Sequence, residues 1–253
     1  MARFASRTAS SSAGRSARKE ASKPSRCASK SMPIAATELA AVMTALFEGL
    51  PEGAPAEAPS LPAFTAFGRR VVEVASPQSA ILFGQPGLAV NDPEWETAQV
   101  VLRVLAGGGF SSRLMEAVRV QRGLAYGIGA GLDVLFGQGV VVGSSATDNA
   151  RVAETLKVTR EEWARMAAEG PTDAELEDAV AFLTGNLPLQ FTDSRRIAGT
   201  LLALQRNGRP IGWLNERAER LRALTRSHAA ATASRLLLPE SLSVAIAGQP
   251  EGV

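Results

Sequence analysis

The chain carries one histidine, His228, and one cysteine, Cys27. Metal-assisted hydrolysis asks for clustered His, Cys and carboxylate ligands, commonly two His one helical turn apart with a carboxylate base nearby. No zinc site of familiar composition can be assembled from these two residues. A Ser–His–Asp arrangement would also have to use His228, and no nucleophile-elbow pattern accompanies it. His228 stands in T-R-S-H-A-A-A at an expected helix start, where a surface or capping role is its ordinary use. Gly107-Gly108-Gly109-Phe110 invites a test for phosphate binding. It follows a helical pattern, not a strand, and no Lys-Ser/Thr comes after it, so the dinucleotide and phosphate-loop readings both fail. A tight helix–helix connection with positive φ angles is expected there.

The elements around these residues follow from periodicity. Residues 36–50 place Leu39, Val42, Met43, Leu46 and Phe47 on one face of a helix, with a Thr37 cap before Glu38. VVEVAS and QSAILFGQPG read as short strands joined by a turn. Asp92-Pro93 opens a helix with Trp95, Ala98, Val101, Leu102 and Leu105 along one side. Ser111 or Ser112 is expected to cap the next helix, whose stripe is Leu114, Met115 and Val118. Residues 124–134 and 138–146 read as antiparallel strands joined around Phe136-Gly137. A helix with Val152, Leu156, Trp163 and Met166 follows, ending at Gly170. Thr172-x-x-Glu175 forms a capping box for the next one. Helices over SRRIAGTLLALQRNG, 211–223 and 225–236 precede a last strand, SLSVAIAG. This order predicts an α+β fold, a mostly antiparallel sheet covered on one face by helices.

Charge divides the chain unevenly. Residues 1–33 hold eight basic residues and one acid, Glu20, leaving 19 basic and 24 acidic residues downstream, a net charge of −5. Basicity confined to one tail gives no reason to expect a nucleic-acid-binding domain. The tail is rich in Ser, Ala and Arg and is expected to be disordered. Its composition suits an organelle transit peptide, but a solvated tail or a mis-started gene is the favoured reading, and it lacks the apolar centre of a secretory signal. No run of about 18 apolar residues is present to form a transmembrane segment. Periplasm, cytoplasm and organelle matrix all stay open. Residues 52–66 contain Pro55, Pro59 and Pro62 and read as a linker. The expected organisation is a basic tail (1–33), a separate helix (34–51), the linker (52–66) and one main domain (67–250).

The stretch SRLMEAVRVQRGLAYGIGAGLD resembles the pitrilysin, insulinase and mitochondrial-processing-peptidase family of zinc peptidases, in the second, zinc-free domain of that family's duplicated pair. The D-P-E-W-E helix, the L-x-G-G-G-F-S-S-R-L connection, the P-T-D-A-E-L-E-D-A helix and the closing L-S-V-A-I-A-G strand extend the resemblance from about Val71 to Gly248. Residues 36–51 look like the last helix of a preceding domain. The resemblance implies one half of a duplicated two-domain subunit. It also implies that Arg119 and Tyr126, seven residues apart in V-R-V-Q-R-G-L-A-Y, hold substrate backbone beside a zinc carried elsewhere. Guanidinium and phenol are donors able to bind a peptide carbonyl and the oxyanion that develops on it. Taken without the resemblance, Arg119 is a solvated helix residue and Tyr126 a core aromatic.

This sequence departs from the full family pattern in lacking H-x-x-E-H and most of a first domain. The expected function is therefore the substrate-binding half of an insulinase-type metallopeptidase, with no catalytic residue or cofactor of its own and no activity alone. Zinc is implied in a homologous partner subunit or missing domain, and peptide is the implied substrate. The alternatives are an inactive structural subunit of a larger complex and a truncated gene product. Arg113 and Arg122 are expected to face solvent or to pair with Glu116.

Overall fold

The computed structural model describes residues 35–51, 53, 64–107, 109–135 and 138–253. The basic tail, most of the Pro-rich linker and the Phe136-Gly137 turn lie outside them. The chain forms two compact units, Met1–Pro59 and Ser60–Val253. In the first, α1 (Ala36–Phe47) begins one residue before Thr37, the expected cap. The Glu38 carboxylate accepts the Ala35 backbone N–H at 3.0 Å, which satisfies a free donor of the first turn and moves the start to Ala36. Its apolar stripe of Leu39, Val42, Met43, Leu46 and Phe47 is exposed.

The second unit is built on a five-stranded sheet of order β1-β5-β2-β4-β3. The strands are β1 (Arg69–Glu73), β2 (Gln78–Pro86), β3 (Ala125–Leu135), β4 (Gln138–Asp148) and β5 (Ser243–Gly248). β1 and β2, neighbours in sequence, do not pair. β5 lies between them, parallel to β1 and antiparallel to β2. Val244 and Ile246 alternate into the core at 1% exposure each, so burial of this strand favours the middle of the sheet.

Period-2 alternation gives the sheet two different faces. Ser79, Ile81, Phe83 and Gln85 of β2 and Val141, Gly143, Ser145 and Thr147 of β4 point inward, while Ala80, Leu82, Val142, Ser144 and Ala146 are outward or exposed. The helices are α2 (Trp95–Ala106), α3 (Val152–Glu169), α4 (Asp173–Asn186), α5 (Ser194–Arg206), α6 (Arg217–Arg222) and α7 (Arg226–Leu236). Of these, α2 and α3 meet β3 and β4 respectively, α7 packs on both of these helices, α4 packs on α2 and α6 on α4. The ring of Trp163 in α3 is fully buried and meets Phe83 edge-on at 5.8 Å. Gln85 is buried with them, and both ends of its side-chain amide are hydrogen-bonded. Its Oε1 accepts from Trp163 Nε1 (2.9 Å) and the Leu238 N–H (3.1 Å), and its Nε2 donates to the Leu236 carbonyl (2.5 Å). Thr172 and Glu175 form the expected capping box at the start of α4.

Between α2 and β3 the expected α-helix is instead π-helical over Met115–Val120. The Gln121 N–H reaches back five residues to the Glu116 carbonyl at 2.9 Å. No serine side chain caps it. The Ser112 backbone carbonyl accepts from Glu116, and the buried Ser112 Oγ has no partner among the described residues.

Candidate functional site

Arg119 leaves the last turn of the π-helical segment, and Tyr126 leaves the first residues of β3. Gly123, at φ +60°, turns the chain between them, and its N–H donates to the Arg119 carbonyl at 3.0 Å. An L side chain is strained at that angle, so glycine is the fitting residue at the turn. Pairing of β3 with β4 then slips: Ala125 faces Thr147, but Ile128 faces Ser145. One extra residue is inserted at Tyr126-Gly127, a β-bulge that lets Ala125 and Ile128 both bury while Tyr126 is aimed outward. Thr147 Oγ1 donates to the Leu124 carbonyl (2.5 Å), and Ser145 Oγ donates to the Gly127 carbonyl (2.9 Å), clamping the bulge from both sides.

Tyr126 is 84% exposed, which rules out a core aromatic. The Arg119 guanidinium lies over its ring at 4.3 Å from the centroid. The structure therefore brings the two residues together. A third member was absent from the sequence reading. Phe110, 65% exposed on the connection after α2, has its ring centroid 4.5 Å from the same guanidinium. No periodicity links Phe110 to Arg119, and the glycine run beside it directs attention to phosphate chemistry. Among the described residues Arg119 makes no ion pair, so its contacts here are to ring faces and its N–H edges are left for another acceptor. A cavity of about 730 Å³ adjoins Tyr126 along β3 and β4, lined also by Ser144, Ala146, Asp148 and Arg151. Arg151 donates to the Gly123 carbonyl at 2.7 Å, tying the rim of this cavity to the turn.

The other arginines have different fates. Arg113 neither faces solvent nor pairs with Glu116. It forms a two-pronged bond with Glu175, both contacts at 2.7 Å, and donates to the Gly170 carbonyl at 3.0 Å. Its side chain is 9% exposed, and the partner lies 62 residues away, beyond any local pattern. Burial raises the Glu175 carboxyl, but the hydrogen bonds from Arg113 and Thr172 overcome this and hold it down at about 2. Arg122 donates to the Ala117 carbonyl at 2.9 Å. His228, in the first turn of α7, approaches the Glu94 carboxylate at 2.6 Å through Nε2, and its backbone N–H meets the Thr225 cap.

Cys27 lies outside the described residues. Among those described, no three His, Cys, Asp or Glu side chains come together in a way that could hold a metal ion. These residues do not fit a zinc site. No helix among them is long and apolar enough to cross a membrane.

Residues 33–183, more than half of the chain, match the family model of the peptidase M16 inactive domain. The chain belongs to that family. Among curated relatives, an uncharacterised zinc protease of Streptomyces coelicolor is 35% identical over 136 residues, 50% of this chain and 29% of the relative. A non-peptidase homolog of Helicobacter pylori is 33% identical over 126 residues, 48% and 28% of the two. The crystal structure of the peptidase M16 inactive domain from Pseudomonas fluorescens superposes with a TM-score of 0.77 at 26% identity, covering 86% of this chain and 51% of that one. The M16 inactive domain seen here thus corresponds to about half of that solved chain and less than a third of those curated relatives.

Proposed function

We propose that this M16 inactive domain holds the backbone of a peptide for a homologous domain or subunit that carries zinc and H-x-x-E-H, and that Arg119 and Tyr126 are its substrate contacts. One observation carries the reading: an arginine without an ion pair among the described residues, stacked on an 84%-exposed tyrosine at the edge of a cavity. An exposed aromatic and an arginine with free donor edges are ordinary residues for gripping another chain. The Arg119 N–H groups and the Tyr126 O–H donate to a peptide carbonyl, and the same bonds strengthen as negative charge develops on that oxygen. In this reading, activation of water belongs to the zinc-bearing domain.

The test is cleavage of an unstructured peptide by the purified chain, alone and mixed with an H-x-x-E-H-bearing homolog, with and without chelator. Chelator-sensitive cleavage is expected in the mixture and not from this chain alone. Arg119→Ala is expected to lower kcat/KM of the mixture by about a hundredfold, the usual loss for one oxyanion donor, without impairing assembly. Unchanged cleavage by the variant would remove the assignment. A stable complex that never cleaves would transfer it to a structural subunit.

A further inference from the structure

We infer that Phe110 is a positioning residue for Arg119, one wall of a two-ring clamp that fixes the guanidinium before any peptide arrives. The inference rests on the peptide-holding role proposed for Arg119. Three separate elements converge on one group. Phe110 comes from the connection after α2, Arg119 from the π-helical segment, and Tyr126 from the β3 bulge, with the guanidinium carbon 4.5 Å and 4.3 Å from the two ring centroids.

The chemistry of the two holding modes differs. A carboxylate holds arginine by its N–H edges, as Glu175 holds Arg113, and so uses the donors that would recognise a carbonyl. Aromatic rings hold it by its faces and leave those donors in plane and unused. Phe110 is also poorly placed for a packing role, since at 65% exposure it buries little apolar surface. Its placement makes sense as a rigid plate: a ring has few rotamers to lose, so it restrains the long, flexible arginine at small entropic cost.

The full chain, as wild type and as Phe110→Ala, Phe110→Trp and Arg119→Ala, would be followed by two readouts. The first is the rate at which phenylglyoxal modifies Arg119, mapped by peptide mass spectrometry, which needs neither partner nor substrate. Phe110→Ala is expected to speed labelling about two- to fivefold, the scale of one exposed cation–π contact, and Phe110→Trp to restore the slow rate. The second is partner-dependent cleavage, where Phe110→Ala is expected to lower kcat/KM by a similar factor with rescue by tryptophan. Equal labelling rates in wild type and Phe110→Ala would overturn the clamp. So would intact cleavage by Phe110→Ala when Arg119→Ala abolishes it. If Arg119→Ala leaves cleavage intact while Phe110→Ala still speeds labelling, the clamp stands and the peptide-holding role is what falls.

Discussion

Arg113 and Arg119 leave the same short segment and are held by opposite means, which sets what each can do. Arg113 is enclosed by Glu175 and the Gly170 carbonyl and joins the start of the π-helical segment to the α3–α4 corner. Removing its side chain leaves Glu175 without its charge partner, so Arg113→Ala is expected to destabilise the unit by about 2–4 kcal/mol in chemical denaturation. The pH dependence has a definite sign. The hydrogen bonds from Arg113 and Thr172 hold the Glu175 carboxyl down at about 2, against an ordinary value of 4.5, so the folded state favours its ionised form. That contribution is fully present above about pH 4.5 and is lost as pH falls toward 2. Glu175→Gln should therefore flatten the stability profile between those values and leave its shape above pH 5 unchanged. An unaltered acid limb in the variant would show that the pair does not set it.

At the scale of the element, two glycines with similar φ angles carry different loads. Gly123 sits at φ +60° with open space where a side chain would go, so Gly123→Ala is expected to cost only the backbone strain, about 1 kcal/mol. Gly170 ends α3 at φ +67°, and an added Cβ would stand 2.5 Å from the Ala230 side chain of α7. Gly170→Ala adds that collision to the strain and is expected to cost about 2–4 kcal/mol, so the two Tm values should rank clearly. Much of this level was legible in the sequence. The Thr172-x-x-Glu175 box, the Trp163 and Met166 stripe and the alternation in QSAILFGQ rest on local spacing, and each recurs in the structure. What was not legible depends on neighbours far away in sequence. The π-helical winding of Met115–Val120 differs by one residue per bond from an α-helix of the same pattern. The bulge at Tyr126-Gly127 exists only against Ser145 and Thr147 of the next strand. Phe110 joins the site through space alone.

The whole molecule is unequal in its two units. Among the described residues, every buried apolar side chain and all five strands belong to Ser60–Val253, whereas α1 has no buried residue. The closing strand β5 sits inside the sheet, second from its edge, between β1 and β2, so the sheet of the second unit is complete only when residues 243–248 have returned to pair with 69–73 and 80–84. Hydrophobic burial dominates folding stability, and among the described residues it resides in this unit. A chain beginning at residue 60 is therefore expected to unfold cooperatively within about 2 °C of the full chain, since a shift of that size at this length corresponds to less than about 1 kcal/mol. It should also retain slow phenylglyoxal labelling of Arg119, because Phe110, Arg119 and Tyr126 all lie inside it. A fall of more than about 5 °C would mean that residues 1–59 stabilise the second unit after all. Truncation before residue 243 should have the opposite character. It removes Val244 and Ile246 from the core and leaves β1 without the strand it pairs with, so loss of the cooperative transition is expected, not a shifted one.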